Sequence, residues 1–320
     1  MVCRLILFSL FINNLFGANT VKYGGELYID GRDARNAGMG GYSASFSDGS
    51  NPALLLHVHE SSIHFSHKNK FAGLAKISSF SYLHHELING KQSPLYFSLV
   101  NRSVDNIPDT RAAWTDDGDS KPEMGEIDYF SINEFSQNEL GLKIAYLRKY
   151  DKIAFGISIK PTHIDLAEYS AWGLSGDIAA IVPLFNNKME FSFRVEDIIS
   201  FNSWNTGTIE TNMPLVMAGG RIQAGPLLIG MEAGSRLEDY SQLNYHAGFE
   251  LHKQHEIIII RGGISHDRLF SVGFGLDLEM LQIDYAYMHP PTQIPFDSSH
   301  IVSVGIFLKQ FDRTKGKITS

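Results

Sequence analysis

Thiol chemistry is almost absent from this chain: of 320 residues, only Cys3 is a cysteine. It precedes the apolar run from Leu5 to Phe16, so it is not a lipid-modified cysteine. A chain cleaved after Ala18 would carry neither a thiol nor a disulfide. No later stretch approaches 18 apolar residues, which excludes a helical membrane span. A surplus of positive charge is missing too; the formal net charge is −8, which argues against nucleic acid as a partner. There is no Gly-x-Ser-x-Gly and no His-Glu-x-x-His, and no acid pair falls into a foreseeable cleft. Neither enzyme activity nor a cofactor is expected. The run Gly38-Met39-Gly40-Gly41 lacks the preceding apolar strand and the following helix of a nucleotide loop, and reads instead as room for tight backbone packing.

What the chain does have is alternation. From Glu139 to Val195, every second residue is apolar over four consecutive segments: Leu140, Leu142, Ile144, Tyr146; Ile153, Phe155, Ile157, Ile159; Trp172, Leu174, Ile178, Val182; Phe191, Phe193, Val195. Period two means strands that each turn one face to an apolar medium. The opposite face is mostly Gly, Ala and Ser, with Lys143, Lys160, Asp177 and Arg194 as isolated charges. In lipid each such charge would cost roughly 2–4 kcal/mol near mid-depth. The small polar face therefore points into a crowded lumen and the apolar face into lipid. The fold class expected is all-β, a transmembrane antiparallel barrel of about 14 strands; a large soluble sandwich or barrel is the alternative.

The chain divides accordingly. Residues 1–18, with Arg4 before the apolar run and Gly17-Ala18 after it, read as an export signal peptide. Residues 19–61 are Gly-rich, helix-compatible only around Arg32–Ala37, and contain Asn51-Pro52-Ala53. Residues 62–308 hold the barrel, and 309–320 a periplasmic tail. Connections are very short after most even strands (KYDK, FNNK, AGP, KQH) and long after several odd ones (103–137, 196–213, 235–243, 289–297). Short turns belong to the periplasm and long loops to the exterior, with both termini periplasmic. Trp172, Tyr146, Phe185, Tyr285 and Tyr287 fall where interfacial aromatic girdles form.

The segment GRDARNAGMGG, a small-residue stretch, an Asp and then NPALL together resemble the opening of the PorV/PorQ family of outer-membrane barrels. These are relatives of the FadL-type long-chain fatty acid transporters, which also carry Asn-Pro-Ala in an N-terminal hatch. Ile107-Pro108-Asp109-Thr110 and the pair Lys160 and Asp177 extend the resemblance. It implies an outer-membrane location, a hatch around Asn51, Pro52 and Ala53 tucked into the barrel mouth, and a part in type IX secretion. Exported cargo or other secretion components would then meet the long loops. Passage of apolar small molecules, as in FadL, is the second implication. A general diffusion pore ranks third, because small residues and paired charges suggest too tight a lumen.

Inward positions collect Lys143, Lys160, Asp177, Glu190, Arg194, Arg221, Glu232, Glu250, Arg261, Asp277 and Asp284. Their signs alternate loosely, so a lattice of salt bridges and hydrogen bonds that stiffens the lumen is the first reading, and a polar pathway the second. Asp116, Asp117, Asp119 and Glu123 offer oxygen ligands without the full calcium-loop pattern. His57, His59, His64 and His67 match no zinc spacing, and no metal is expected.

Overall fold

The computed structural model describes residues 19–20, 26–85, 87–88, 91–116, 118, 121, 123–237, 242–252, 257–266, 269–290 and 296–308. The signal peptide at 1–18 and the tail at 309–320 lie outside them, as do Asp117 and Asp119 of the acidic loop.

Fourteen antiparallel strands close into a barrel, as the alternation requires. In chain order they are β1 (Ser61–Lys70), β2 (Ala75–His84), β3 (Leu95–Asp109), β4 (Asn133–Tyr150), β5 (Ile153–Leu166), β6 (Tyr169–Leu184) and β7 (Met189–Trp204). They continue as β8 (Leu215–Ala224), β9 (Leu227–Arg236), β10 (Asn244–His252), β11 (Ile258–Ser265), β12 (Phe270–Asp277), β13 (Leu281–His289) and β14 (Ser299–Leu308). Each strand pairs with its chain neighbours, and β14 returns to β1, Leu308 opposite Ser61, so the ring has no open edge.

Strand β5 displays the period from Ile153 to Lys160. Phe155, Ile157 and Ile159 are 45, 55 and 54% exposed, while Ser158 and Lys160 between and beside them are 4 and 3% exposed. An apolar outer belt with charge inside is stable only if lipid bathes the belt. One member of the expected apolar face departs from it. Val195 is fully buried, just where the β6–β7 register breaks between Val195 and Ile199.

The strands are unequal. β3 to β7 run to 15, 18, 14, 16 and 16 residues, whereas the remaining nine have 8 to 10. About 9–11 tilted residues cross a bilayer, so this sector of the wall stands above it on the long-loop side. The expected loop at 103–137 is correspondingly shorter, because 103–109 and 133–137 belong to β3 and β4.

Residues 26–58 occupy the lumen. Glu26–Asp30 and Ala34–Gly38 form short helices, labelled α1 and α2, and Pro52–His57 a 3-10 turn. Asp33 caps α2 by accepting from the Asn36 amide at 2.9 Å. Asn51 caps the 3-10 turn by accepting from the Ala53 amide at 3.0 Å, with Pro52 at the first position, where its missing N–H costs nothing. The segment descends from the long-loop end to the short-turn end before entering β1. Asn19 and Thr20 pair in parallel with Glu210 and Thr211, on the connection between β7 and β8. The described N-terminal residues thus lie at the long-loop mouth, which corrects the expectation that both termini are periplasmic: the hatch must thread the whole lumen to reach β1.

Candidate functional site: a lumen filled by the hatch

Two sides of the lumen grip the hatch by different means. Against β2 to β6, the turn Pro52–His57 inserts Leu54, Leu55 and Leu56, and Val58 follows. They pack on Leu83, Tyr96, Ala145, Leu147, Ala154, Ala179 and Ile181. All of these wall residues lie in the lumen phase near the short-turn end, and Leu55, Leu83 and Leu147 are completely buried. The turn touches the wall at Gly156, where a Cβ would overlap the backbone of Pro52 and Ala53. The expected inner face of small and charged residues is therefore incomplete: a dry apolar seam seals this side.

Against β7 to β13 the grip is ionic. The guanidinium of Arg194 donates to Glu196 at 2.7 Å and to Ser43 of the hatch at 2.8 Å, and pairs with Glu232. Arg35 of the hatch makes a two-pronged bond to Glu250 (2.8 and 2.7 Å), which also accepts from Arg261 at 2.7 Å; Arg261 then reaches Asp284 at 2.6 Å. Near the short-turn end, Arg221 holds Glu190 at 2.9 Å and donates to His57 Nε2 at 2.6 Å. Burial lowers the His57 pKa against the opposing pull of Glu190, whose Oε2 lies 3.1 Å from the same Nε2.

A third group lies where the two sides meet. Lys160 binds Asp177 at 2.6 Å and Asp197 at 2.7 Å, Lys143 reaches Asp177 at 3.3 Å, and Ser158 donates to Asp177 at 2.7 Å. Buried charges are tolerable only when paired and bonded in this way. Beside them Leu142–Pro161 and Lys143–Lys160 are missing from the β4–β5 ladder, although the register on either side agrees. Pro161 brings no N–H to it. The Tyr28 hydroxyl of α1 fills the gap, 2.9 Å from the Pro161 carbonyl and 3.1 Å from Thr162 Oγ1.

Above these contacts Asp30 of α1 meets Lys70 at 2.9 Å, Arg102 at 3.1 Å and Lys68 at 3.8 Å. Burial would raise its carboxyl, but the cations hold it below the ordinary value. Within the hatch, Asn36 Oδ1 accepts from the Ala44 and Ser45 amides at 2.7 Å each, and its amide nitrogen bonds Asp48. Burial and the Asp33 carboxylate push Asp48 up to about 6.

Of the eleven inward charges named from sequence, ten join these groups. Asp277 does not. It sits at the short-turn end of β12 with its side chain 39% exposed and His252 at 3.9 Å. Reading the sequence missed Asp30, Arg32, Arg35, Lys68, Arg102, Glu139, Glu196 and Asp197. Glu139 and Glu196 share the phase of Lys143 and Arg194 and were findable by extending the period. Asp197 was not, because it turns inward at a bulge where its φ is 55°. The histidines are dispersed: His57 binds Arg221, His64 packs between Phe46 and Phe307, and His67 bonds Ser78.

The hatch leaves a chamber of about 520 Å³ toward the long-loop mouth. Ile29, Phe71, Leu215, Leu269 and Met288 line it alongside Arg32, Lys68, Lys70 and Arg236 and the carboxylates of Glu26 and Asp30.

No protein-family model matches the chain, and no curated protein sequence does. Among solved structures it is similar to the Pseudomonas putida toluene transporter TodX, at a TM-score of 0.59 and 12% identity over 86% of this chain and 97% of that one. The deltaS2 mutant of the TodX monoaromatic hydrocarbon channel gives 0.51 and 12%, over 88% and 99%. The Acinetobacter baumannii outer membrane protein Omp33 gives 0.42 and 6%, over 78% and 98%. The fold is that of an outer-membrane β-barrel.

Proposed function

We propose that this chain is a hatch-closed outer-membrane channel for small molecules with an apolar body. The chamber above the hatch carries the reading: it is large enough for such a molecule, with Ile29, Phe71, Leu215, Leu269 and Met288 beside charges that are paired, Asp30 with Lys68 and Lys70. A charge-lined diffusion pore would need a clear lumen, whereas here the hatch occupies it. The likeness in fold to a toluene transporter supports the same reading. Uptake of radiolabelled toluene and of oleate by cells with and without the protein tests it. Uptake of at least one should fall on deletion and return on complementation. Equal uptake of both would refute it.

A second reading is a part in surface-protein export of the type IX kind, with cargo meeting the exterior. It is favoured by the raised sector of β3 to β7 and by the loop between β3 and β4, where Met124 and Phe130 are 86 and 102% exposed. Co-purification of secreted cargo would support it. A barrel recovered alone, with export unaffected by deletion, would count against it.

A further inference from the structure

A second cavity, of about 320 Å³, opens at the opposite, short-turn end. The end of the hatch, with Leu56 and His57, forms one side; the rims of β4, β6, β7, β8 and β9 line the rest. Its size is that of a small-ligand site, and its charge is one-sided. Lys149, Lys188 and Arg221 line it, and Glu190 is the one carboxylate lining it among the described residues. Glu190 is already engaged by Arg221 at 2.9 Å. Arg35 also lines the cavity, but its charge is taken by Glu250 at 2.7 Å. Lys149 and Lys188 line this half-enclosed mouth with no carboxylate partner among the described residues. A concave, low-dielectric wall concentrates the field of such a pair and draws in counter-charge.

We propose that this cavity is a periplasm-facing binding site for an oxyanion, a carboxylate or phosphate group held between Lys149 and Lys188. The proposal is independent of the apolar passenger suggested for the upper chamber. It lies at the other end of the lumen, and its chemistry is charge rather than burial of apolar surface.

Calorimetric titration of the full-length protein in detergent tests it, with inorganic phosphate, succinate and dihexanoyl phosphatidylglycerol as probes. At least one probe should give saturable one-site binding. Lys149→Gln combined with Lys188→Gln should weaken it about tenfold or more, while Lys152→Gln, on the same rim outside the cavity, should leave it within about twofold. Heat-modifiable migration of each variant checks that the barrel is intact. Preference for phosphate or succinate assigns the site to a free anion, and preference for the phosphatidylglycerol to a lipid headgroup. Absence of saturable heat with all three at about 10 mM, where even a Kd of about 1 mM would register, overturns the proposal. Equal weakening by the double variant and by Lys152→Gln also overturns it, since general surface charge would then suffice.

Discussion

The two sides of the lumen solve one problem with different physics. Along β2 to β6 the hatch is held by leucines against leucine, isoleucine and tyrosine, an interface that needs shape and dryness. Along β7 to β13 it is held by guanidinium–carboxylate pairs that need every partner present. The apolar seam derives its stability from burial at roughly 25 cal/mol per Å². The ionic side gains little net energy, because desolvation offsets attraction, but it specifies how the hatch is seated. The seam should therefore fail when charged, and the lattice when left half-made.

The largest effect is expected from Leu55→Asp, which places an unpaired carboxylate in the seam. The hatch should leave it, giving ion conductance in planar bilayers and a new protease-sensitive site; a variant that stays closed would contradict the role given to the seam. Leu55→Ala should cost ~2–5 kcal/mol of hatch docking without abolishing it. On the opposite side, Arg194→Met strands Glu232, leaves Glu196 only the longer contact to Arg32 at 3.8 Å, and should cost ~3–5 kcal/mol in chemical denaturation. Adding Glu196→Gln and Glu232→Gln should restore most of that loss. If it does not, the lattice contributes more than seating. Gly156→Ala tests the closest approach of hatch and wall, and should cost ~1–3 kcal/mol through displacement of Pro52 and Ala53.

The smallest expected effect depends on pH. Asp48 has a raised pKa, so the folded hatch favours its protonated form. Its ionisation destabilises the fold increasingly as pH rises from the ordinary carboxylate range through about 6, and that penalty is fully present above 6. Asp48→Asn should therefore raise the melting temperature relative to wild type more at pH 7.5 than at pH 4.5. A difference independent of pH would contradict this assignment.

Much of the barrel was legible in the sequence because period two survives even where composition is ordinary. The alternation of Ile153 to Lys160 carries over unchanged into exposure. The closed ring of fourteen strands followed from counting such segments. The raised sector was not legible: Asp105, Asn106 and Pro108 read as loop, yet β3 continues through them by way of a register shift, with Asn106 at φ 58°. The apolar seam was hidden for another reason. Leu147 and Ile181 occupy the lumen phase of their strands, and alternation alone cannot say that the facing medium there is a leucine-rich plug rather than water. Charges at one end of a long-range pair, such as Arg35 with Glu250, carry no local signal at all.

Accessibility of nitroxide labels along β5 tests the central claim most directly. Cys3 is the sole native cysteine, so single-cysteine variants at Phe155, Ile157, Ile159 and Ser158 can be labelled cleanly once it is removed. In reconstituted bilayers the first three should collide freely with dissolved oxygen and hardly with a water-soluble nickel chelate. Ser158 should be shielded from both, because it lies within the packed lumen. Free access of the nickel chelate to Ser158, or to the three outward positions, would contradict a plugged barrel with its apolar face in lipid.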